Sequence, residues 1–213
     1  AHVMVIGIGG LGCPVALYLA ASGVGRLSLV DPDSVELSNF QRQLAHSDAT
    51  LGQPKVDSAR LELKRINADV EVIAHPIAAD LPWLLQQLSD VDVLVDCSDN
   101  AAVRYAINSA CRQKNIPWVS GAAIGLSGQL AVFDPRDDQS PCYRCLYPQL
   151  DDNTASCATS GILSPVVAVI GSMQAVAKPT LLLRMPHPVG PPVSHDALHP
   201  DWQRWQLPPR RDL

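Results

Sequence analysis

The first forty or so residues constrain the fold more tightly than any other stretch of this 213-residue chain. An apolar run, Val3 to Ile6, leads into Gly7-Ile8-Gly9-Gly10-Leu11-Gly12, and an apolar-rich segment follows through Leu19. A turn this rich in glycine lets the backbone bend sharply and approach a ligand closely, while the helix that follows presents its N-terminal amides to phosphate. A second apolar run, Arg26 to Val30, ends at Asp31, nineteen residues after Gly12, where a carboxylate can take ribose hydroxyls. Strand, glycine turn, helix, strand and acid in that order predict a Rossmann-like nucleotide-binding unit. For the glycines alone, the competing reading is a turn that merely packs strand on helix.

The same alternation continues. Apolar runs at 2–7, 26–31, 70–74, 91–96 and 117–120 read as strands, with helices at about 11–22, 54–67, 80–88 and 100–114. Repeated strand–helix units predict an α/β fold, a mainly parallel sheet with helices on both faces. Pro54 suits the first position of its helix, and Pro117 marks the exit from another. From Gln129 the pattern changes. Gln129 to Phe133 reads as an extra strand, 134–160 as a long loop carrying a Cys-x-x-Cys, and Ile162 to Ala177 as a buried helix that Pro179 should end or kink. Further C-terminal strands are expected beyond it, and the proline-dense stretch Pro186 to Pro192 should be irregular.

Charge and hydropathy exclude some classes. The net charge is −5, and no Lys/Arg cluster stands out beyond Arg210-Arg211, so nucleic acid is not expected as the ligand. No apolar stretch is as long as a bilayer span and nothing resembles a signal peptide, which predicts a cytoplasmic enzyme away from membranes. Residue 1 is Ala and the first strand begins at once, so part of the natural N-terminus is expected to precede this sequence.

Taken singly, the charged residues are ambiguous. Arg42 and Lys55 alone read as surface charges. Asp99 follows the fourth strand at the carboxyl edge of the sheet, where open α/β folds bind ligands, and a carboxylate there suits a hard cation. It could equally cap the helix that starts near Asn100. Asp96 reads as structural, and Arg104 as an exposed helix arginine more than as a ligand to substrate.

The motifs taken together are more specific. Gly-x-Gly-Gly-Leu-Gly, Asp31-x-Asp33, Ser38-Asn39-x-x-Arg42-Gln43, Gly52-Gln53-Pro54-Lys55, Asp96-Cys97-Ser98-Asp99-Asn100 and Pro141-Cys142-Tyr143-Arg144-Cys145 follow one another, with Gly161-Ile162-Leu163-Ser164-Pro165 and Gly171-Ser172-Met173-Gln174-Ala175 later. Over about residues 2–176 the chain resembles the ubiquitin-activating-enzyme-like adenylyltransferase superfamily (the ThiF/MoeB/HesA type), its molybdopterin-synthase branch most of all. The resemblance implies ATP- and magnesium-dependent adenylation of the C-terminal glycine carboxylate of a ubiquitin-like sulfur-carrier protein, for molybdopterin or related cofactor synthesis. It implies ATP binding by Gly7, Gly9, Gly10, Gly12, Asp31, Asp33, Ser38, Asn39, Arg42, Gln43, Lys55, Asp99 and Asn100. Arg42, Lys55 and Asp99 become the catalytic set, with Asp99 on magnesium: pyrophosphate leaves with growing negative charge, which fixed cations must offset.

The resemblance further implies a homodimer, a sulfurtransferase or cysteine desulfurase as a partner, a native N-terminal helix ahead of this sequence, and a single adenylation domain. Residues to about 125 would bind nucleotide, and 126–213 would bind the carrier and hold the zinc loop. Cys142 and Cys145 have the spacing of half a tetrahedral zinc site, whose second cysteine pair would lie past Leu213. A redox couple and a lost metal are the alternatives. Cys157 matches the cysteine that carries a persulfide-linked intermediate in the thiamine-type branch, which makes that branch the alternative function. Cys13, Cys97 and Cys111 read as structural, and the six histidines show no metal-ligand spacing. Two other classes remain: an NAD-dependent oxidoreductase, which explains the glycines and Asp31 but leaves Arg42, Lys55 and Asp99 idle, and a non-catalytic half of a heterodimeric activating enzyme.

Overall fold

The computed structural model describes residues 1–148, 161–182, 192–197 and 202–205. Its strands are β1 (His2–Ile6), β2 (Arg26–Val30), β3 (Glu71–His75), β4 (Val93–Asp96), β5 (Trp118–Ile124), β6 (Ser127–Phe133), β7 (Val193–Asp196) and β8 (Trp202–Arg204). The helices are α1 (Gly12–Ala21), α2 (Lys55–Ile66), α3 (Leu81–Gln87), α4 (Ala101–Lys114), α5 (Tyr143–Leu146) and α6 (Ser164–Leu182). The eight strands form one sheet in the order β3-β2-β1-β4-β5-β6-β7-β8. Neighbours from β3 through β5 pair in parallel, and from β5 onward each pair is antiparallel.

The side-chain alternation of β1 explains the two-sided packing. Val3 and Val5 enter one core with α1, α2 and α6, while Met4 and Ile6 enter a second with α3 and α4. Burial on both faces is what a near-continuous apolar strand requires, and each crossover helix supplies a cover. From β1 the chain moves outward to β2 and β3, then returns across the sheet to β4 on the other side. That reversal opens a crevice beyond the carboxyl ends of β1 and β4, the place where open α/β sheets bind ligands.

The predicted parallel sheet, its helices and the added C-terminal strands are all present; the differences lie at edges. Pro54 is the residue before α2 rather than its first, with an extended ψ of 135°. The β5 strand runs four residues past the expected end at Ser120, because β6 folds back on it from Ser127 and supplies partners as far as Ile124. The expected loop from 134 contains the one-turn α5. Helix α6 runs on through Pro179 to Leu182. The proline ring's fixed φ is itself helical, so its local cost is the hydrogen bond its nitrogen cannot donate and crowding of the preceding turn. Nearly all of the proline-dense stretch 186–192 lies outside the described residues.

Candidate functional site

The glycine turn is held by contacts that glycine alone permits. Gly7 has φ +88°, and a Cβ there would lie 2.7 Å from the Cys97 carbonyl oxygen. Its amide donates to Val30 O at 2.7 Å, tying the end of β1 to the end of β2. Gly12 sits where a Cβ would be 1.9 Å from Gly7 O, so its part is to seat α1 against the turn. Helix α1 has no side-chain cap; the Cys13 amide of its first turn donates to Gly9 O at 2.9 Å, and the backbone that lines the cavity ahead of the helix is that of Gly9, Gly10 and Leu11. Between these glycines, Ile8 donates to Asp31 Oδ2 at 2.6 Å, and Asp31 Oδ1 accepts from the Asp33 amide at 2.8 Å. Burial pushes the Asp31 carboxyl above the usual carboxylate range, against the opposing pull of the Lys55 charge. Each Asp31 oxygen therefore already organises backbone, with a lone pair to spare for a ligand.

A short antiparallel contact carries the cations to the same place. Ser34 bridges Pro54, Val35 donates to Gln53 O at 2.9 Å, and the Lys55 amide donates to Asp33 O at 2.9 Å. This sets the start of α2 beside the end of β2. Lys55 is 7% exposed, and its Nζ reaches Asp33 Oδ2 at 2.7 Å. A turn at Leu37–Asn39 then presents Arg42, whose guanidinium donates to Ser38 O at 3.3 Å and has no carboxylate within ion-pair reach among the described residues. Gln43 is 4% exposed, and its Oε1 is buried without a hydrogen-bond partner. An orphaned acceptor of this kind fits a donor from a ligand.

The third side comes from the end of β4. Asp96 is fully buried, accepting from the Ser98 amide at 3.0 Å and hydroxyl at 2.6 Å and from the Ser120 hydroxyl at 2.9 Å. That makes it structural, as expected. Asn100, and not Asp99, caps α4 by accepting from the Val103 amide at 3.0 Å. The capping alternative for Asp99 is thereby overturned: its carboxylate is exposed at the cavity. Arg104 is also not an exposed helix arginine. Its side chain is 16% exposed, donates to Ser98 O at 2.6 Å and lies 3.7 Å from Asp96 Oδ2.

These three sides enclose a cavity of about 900 Å³ whose wall includes Gly7, Gly9, Gly10, Asp31, Asp33, Asn39, Arg42, Gln43, Lys55, Asp99 and Asn100. Of the expected nucleotide contacts, Gly12 and Ser38 lie off that wall. Ser38 is exposed and its hydroxyl donates to Glu36 Oε2 at 3.3 Å. Sequence reasoning missed the opposite wall, made by Ile77 to Ala79, Val103, Arg104, Gln129, Tyr143, Tyr147, Ile162 and Val167. Three of these had a signal in the sequence: Tyr143 inside the Cys-x-x-Cys, Ile162 inside the Gly161 to Pro165 motif, and Arg104, weighed as a ligand and set aside.

Cys142 immediately precedes α5, and Cys145 lies within it, with the sulfurs 3.5 Å apart. Two thiolates on one tetrahedral zinc stand about 3.8 Å apart, so the pair fits two corners of such a site. Among the described residues no group of three or more His, Cys, Asp or Glu is arranged to hold a metal. Cys157 lies outside the described residues. Cys13, Cys97 and Cys111 are buried, and burial pushes the Cys13 thiol up to about 12 and holds the other two protonated as well. With a chelator present, iodoacetamide should therefore alkylate Cys142 and Cys145, which are only half-buried, first and leave Cys13, Cys97 and Cys111 unmodified until the chain is denatured. Peptide mapping by mass spectrometry reads the order.

The profile of the ThiF family matches residues 1–213. Molybdopterin-synthase adenylyltransferase of Escherichia coli K12 is 42% identical over 207 residues, covering 97% of this chain and 83% of its own. Adenylyltransferase and sulfurtransferase MOCS3 of Mus musculus is 45% identical over 178 residues, with 83% of this chain and 38% of that protein aligned. Among solved structures, E. coli MccB with MccA-N7isoASN superposes at a TM-score of 0.87 with 20% identity, over 99% of this chain and 66% of that one. PaaA superposes at 0.83 with 22% identity, and this chain spans 65% of its length. These two establish the shared fold.

Proposed function

The chain belongs to the ThiF family, and from that premise we propose that it adenylates the C-terminal glycine carboxylate of a ubiquitin-like sulfur-carrier protein, using ATP and magnesium. The product would serve molybdopterin or a related sulfur-dependent synthesis, in keeping with relatives named molybdopterin-synthase adenylyltransferase. One observation carries the reading: the glycine turn, Arg42, Lys55 and Asp99 share one cavity, although they come from four separate segments. A dehydrogenase would need the turn and Asp31 but would leave the other three without work.

The chemistry follows from charge. A carrier carboxylate oxygen attacks the α-phosphorus of ATP, a new P–O bond forms, and the bond to the β-phosphate bridging oxygen breaks, releasing pyrophosphate. The amides of the glycine turn just ahead of α1 take phosphate oxygens. Arg42 grips two oxygens through its planar fork, and Lys55 exchanges its Asp33 partner for phosphate as a point charge. Asp99 would hold magnesium, which would supply further charge neutralisation on the leaving pyrophosphate. Gln43 Oε1 offers an acceptor to a nucleotide hydroxyl, and Ile77, Ala79 and Val103 offer an apolar wall to the base. Across the cavity, Arg104, Gln129 and Tyr147 face the space left for an extended Gly-Gly tail.

In this reading residues to about 125 bind nucleotide, while the carrier and a structural zinc, held in part by Cys142 and Cys145, belong to 126–213. A homodimer and a sulfurtransferase or cysteine desulfurase partner complete it. The proposed site of action is cytoplasmic; no helix among the described residues is long and apolar enough to cross a membrane. ATP–pyrophosphate exchange that requires a carrier ending in Gly-Gly tests the reaction directly. Exchange without any carrier, or none with a panel of carriers, overturns it. Asp99→Ala should lower maximal exchange about a hundredfold and raise the magnesium concentration for half-maximal exchange about tenfold. A magnesium titration of both proteins measures this.

A further inference from the structure

The adenylation reading leaves unused a buried histidine that packs on the glycine turn. His46 is 7% exposed, bonds to the backbone of Ile8 and does not line the cavity. Its Nε2 is 3.1 Å from the carbonyl oxygen of Ile8, and its Nδ1 is 2.9 Å from the hydroxyl of Ser58 on α2. A carbonyl only accepts, so Nε2 carries the hydrogen of the neutral ring, and Nδ1 lies against the Ser58 hydroxyl, which also donates to Thr50 Oγ1 at 2.8 Å. Burial keeps His46 below the usual histidine range and so favours that neutral form.

Ile8 is the one non-glycine residue between Gly7 and Gly10, and both of its backbone polar groups are taken. Its amide donates to Asp31, and its carbonyl accepts from His46, with the buried Cys13 thiol as a second, weaker donor at 3.6 Å. Ser58, 1% exposed, lies one turn beyond Lys55 on the same helix. The imidazole therefore bridges the turn that would cradle phosphates and the helix that carries the ammonium.

We infer that His46 is a positioning residue for adenylation: it fixes the turn at Ile8 relative to α2, and so sets the separation between the phosphate-binding amides and Lys55. The inference rests on the proposed adenylation reading for its meaning, but its test does not. Equilibrium ATP–magnesium affinity, measured by calorimetry on the full chain without carrier, should fall about tenfold or more in His46→Leu, because the Ile8 carbonyl loses its main donor and the turn its anchor. His46→Gln retains an N–H that can reach Ile8 and should recover to within about threefold. Ser58→Ala keeps the Ile8 contact, frees the α2 end and should lose a few-fold.

Carrier affinity is the readout that separates positioning from general damage. It should stay within about twofold in all three variants, whereas a protein that is merely less well folded loses both ligands. Unchanged ATP affinity in His46→Leu overturns the inference, as does a parallel loss of carrier binding. If His46→Leu does not fold, Ser58→Ala and His46→Gln decide: ATP affinity equal to that of the unaltered chain in Ser58→Ala overturns it. Absence of carrier-dependent exchange in the unaltered chain bears on the reaction instead, and leaves the ATP affinities to judge His46.

Discussion

Arg42→Ala should reduce carrier-dependent ATP–pyrophosphate exchange about a thousandfold while leaving carrier affinity within about twofold. The reason is its lack of other duties. In the folded chain the guanidinium donates only weakly, to Ser38 O at 3.3 Å, and no carboxylate among the described residues holds it. Its removal thus costs the fold little, and the thermal midpoint should move by under about 2 °C. The loss falls on the transition state, where negative charge gathers on the departing pyrophosphate. Arg42→Lys should recover only part of the rate, because an ammonium cannot grip two oxygens in a plane. Exchange at more than about a tenth of the original rate in Arg42→Ala would contradict this assignment.

Gly12→Ala should be among the most damaging single-methyl changes in the chain. The added carbon would stand 1.9 Å from the Gly7 carbonyl oxygen, and that atom belongs to backbone locked by its own bond to Val30. Either α1 or the turn must shift, at a cost of about 3 kcal/mol or more, which lowers the melting midpoint by about 10 °C in a domain of this size. Gly9→Ala is the control. Its Cβ would meet nothing closer than Gln43 Nε2 at 3.7 Å, so stability should hold while the methyl intrudes where phosphate would lie. A pair of melting curves and ATP titrations distinguishes the glycine that seats the helix from the glycine that faces the ligand. Equal midpoints for the two variants would refute the division.

These contrasts also mark what the sequence could convey. The parallel half of the sheet was legible because β1, β2 and β4 are apolar on both faces and are separated by helices of ordinary length. The first wall of the cavity was legible for the same reason: it lies in short segments that follow those strands. The opposite wall was not, since Gln129, Tyr147 and Ile77 are ordinary residues whose meaning depends on how β5 and β6 fold over the site. Arg104 was misjudged because helical spacing does not reveal that Asp96, eight positions earlier, is buried beside it. Asp99 and Asn100 both suit a helix start by composition, and only backbone geometry separates the cap from its neighbour. His46 carried no signal, because its partners, Ile8 and Ser58, lie in two other segments.

The change of strand direction after β5 has an implication for how such a chain diversifies. In the proposed reading, the parallel strands would govern the nucleotide side of the cavity, while the antiparallel hairpin and the turn around Tyr143, joined by Arg104, would govern the acceptor side. Because the two sides are written in different parts of the chain, drift in the second half can redirect the choice of acceptor while the energy-yielding half stays intact. Selection can treat the machine as a fixed engine with an exchangeable fitting.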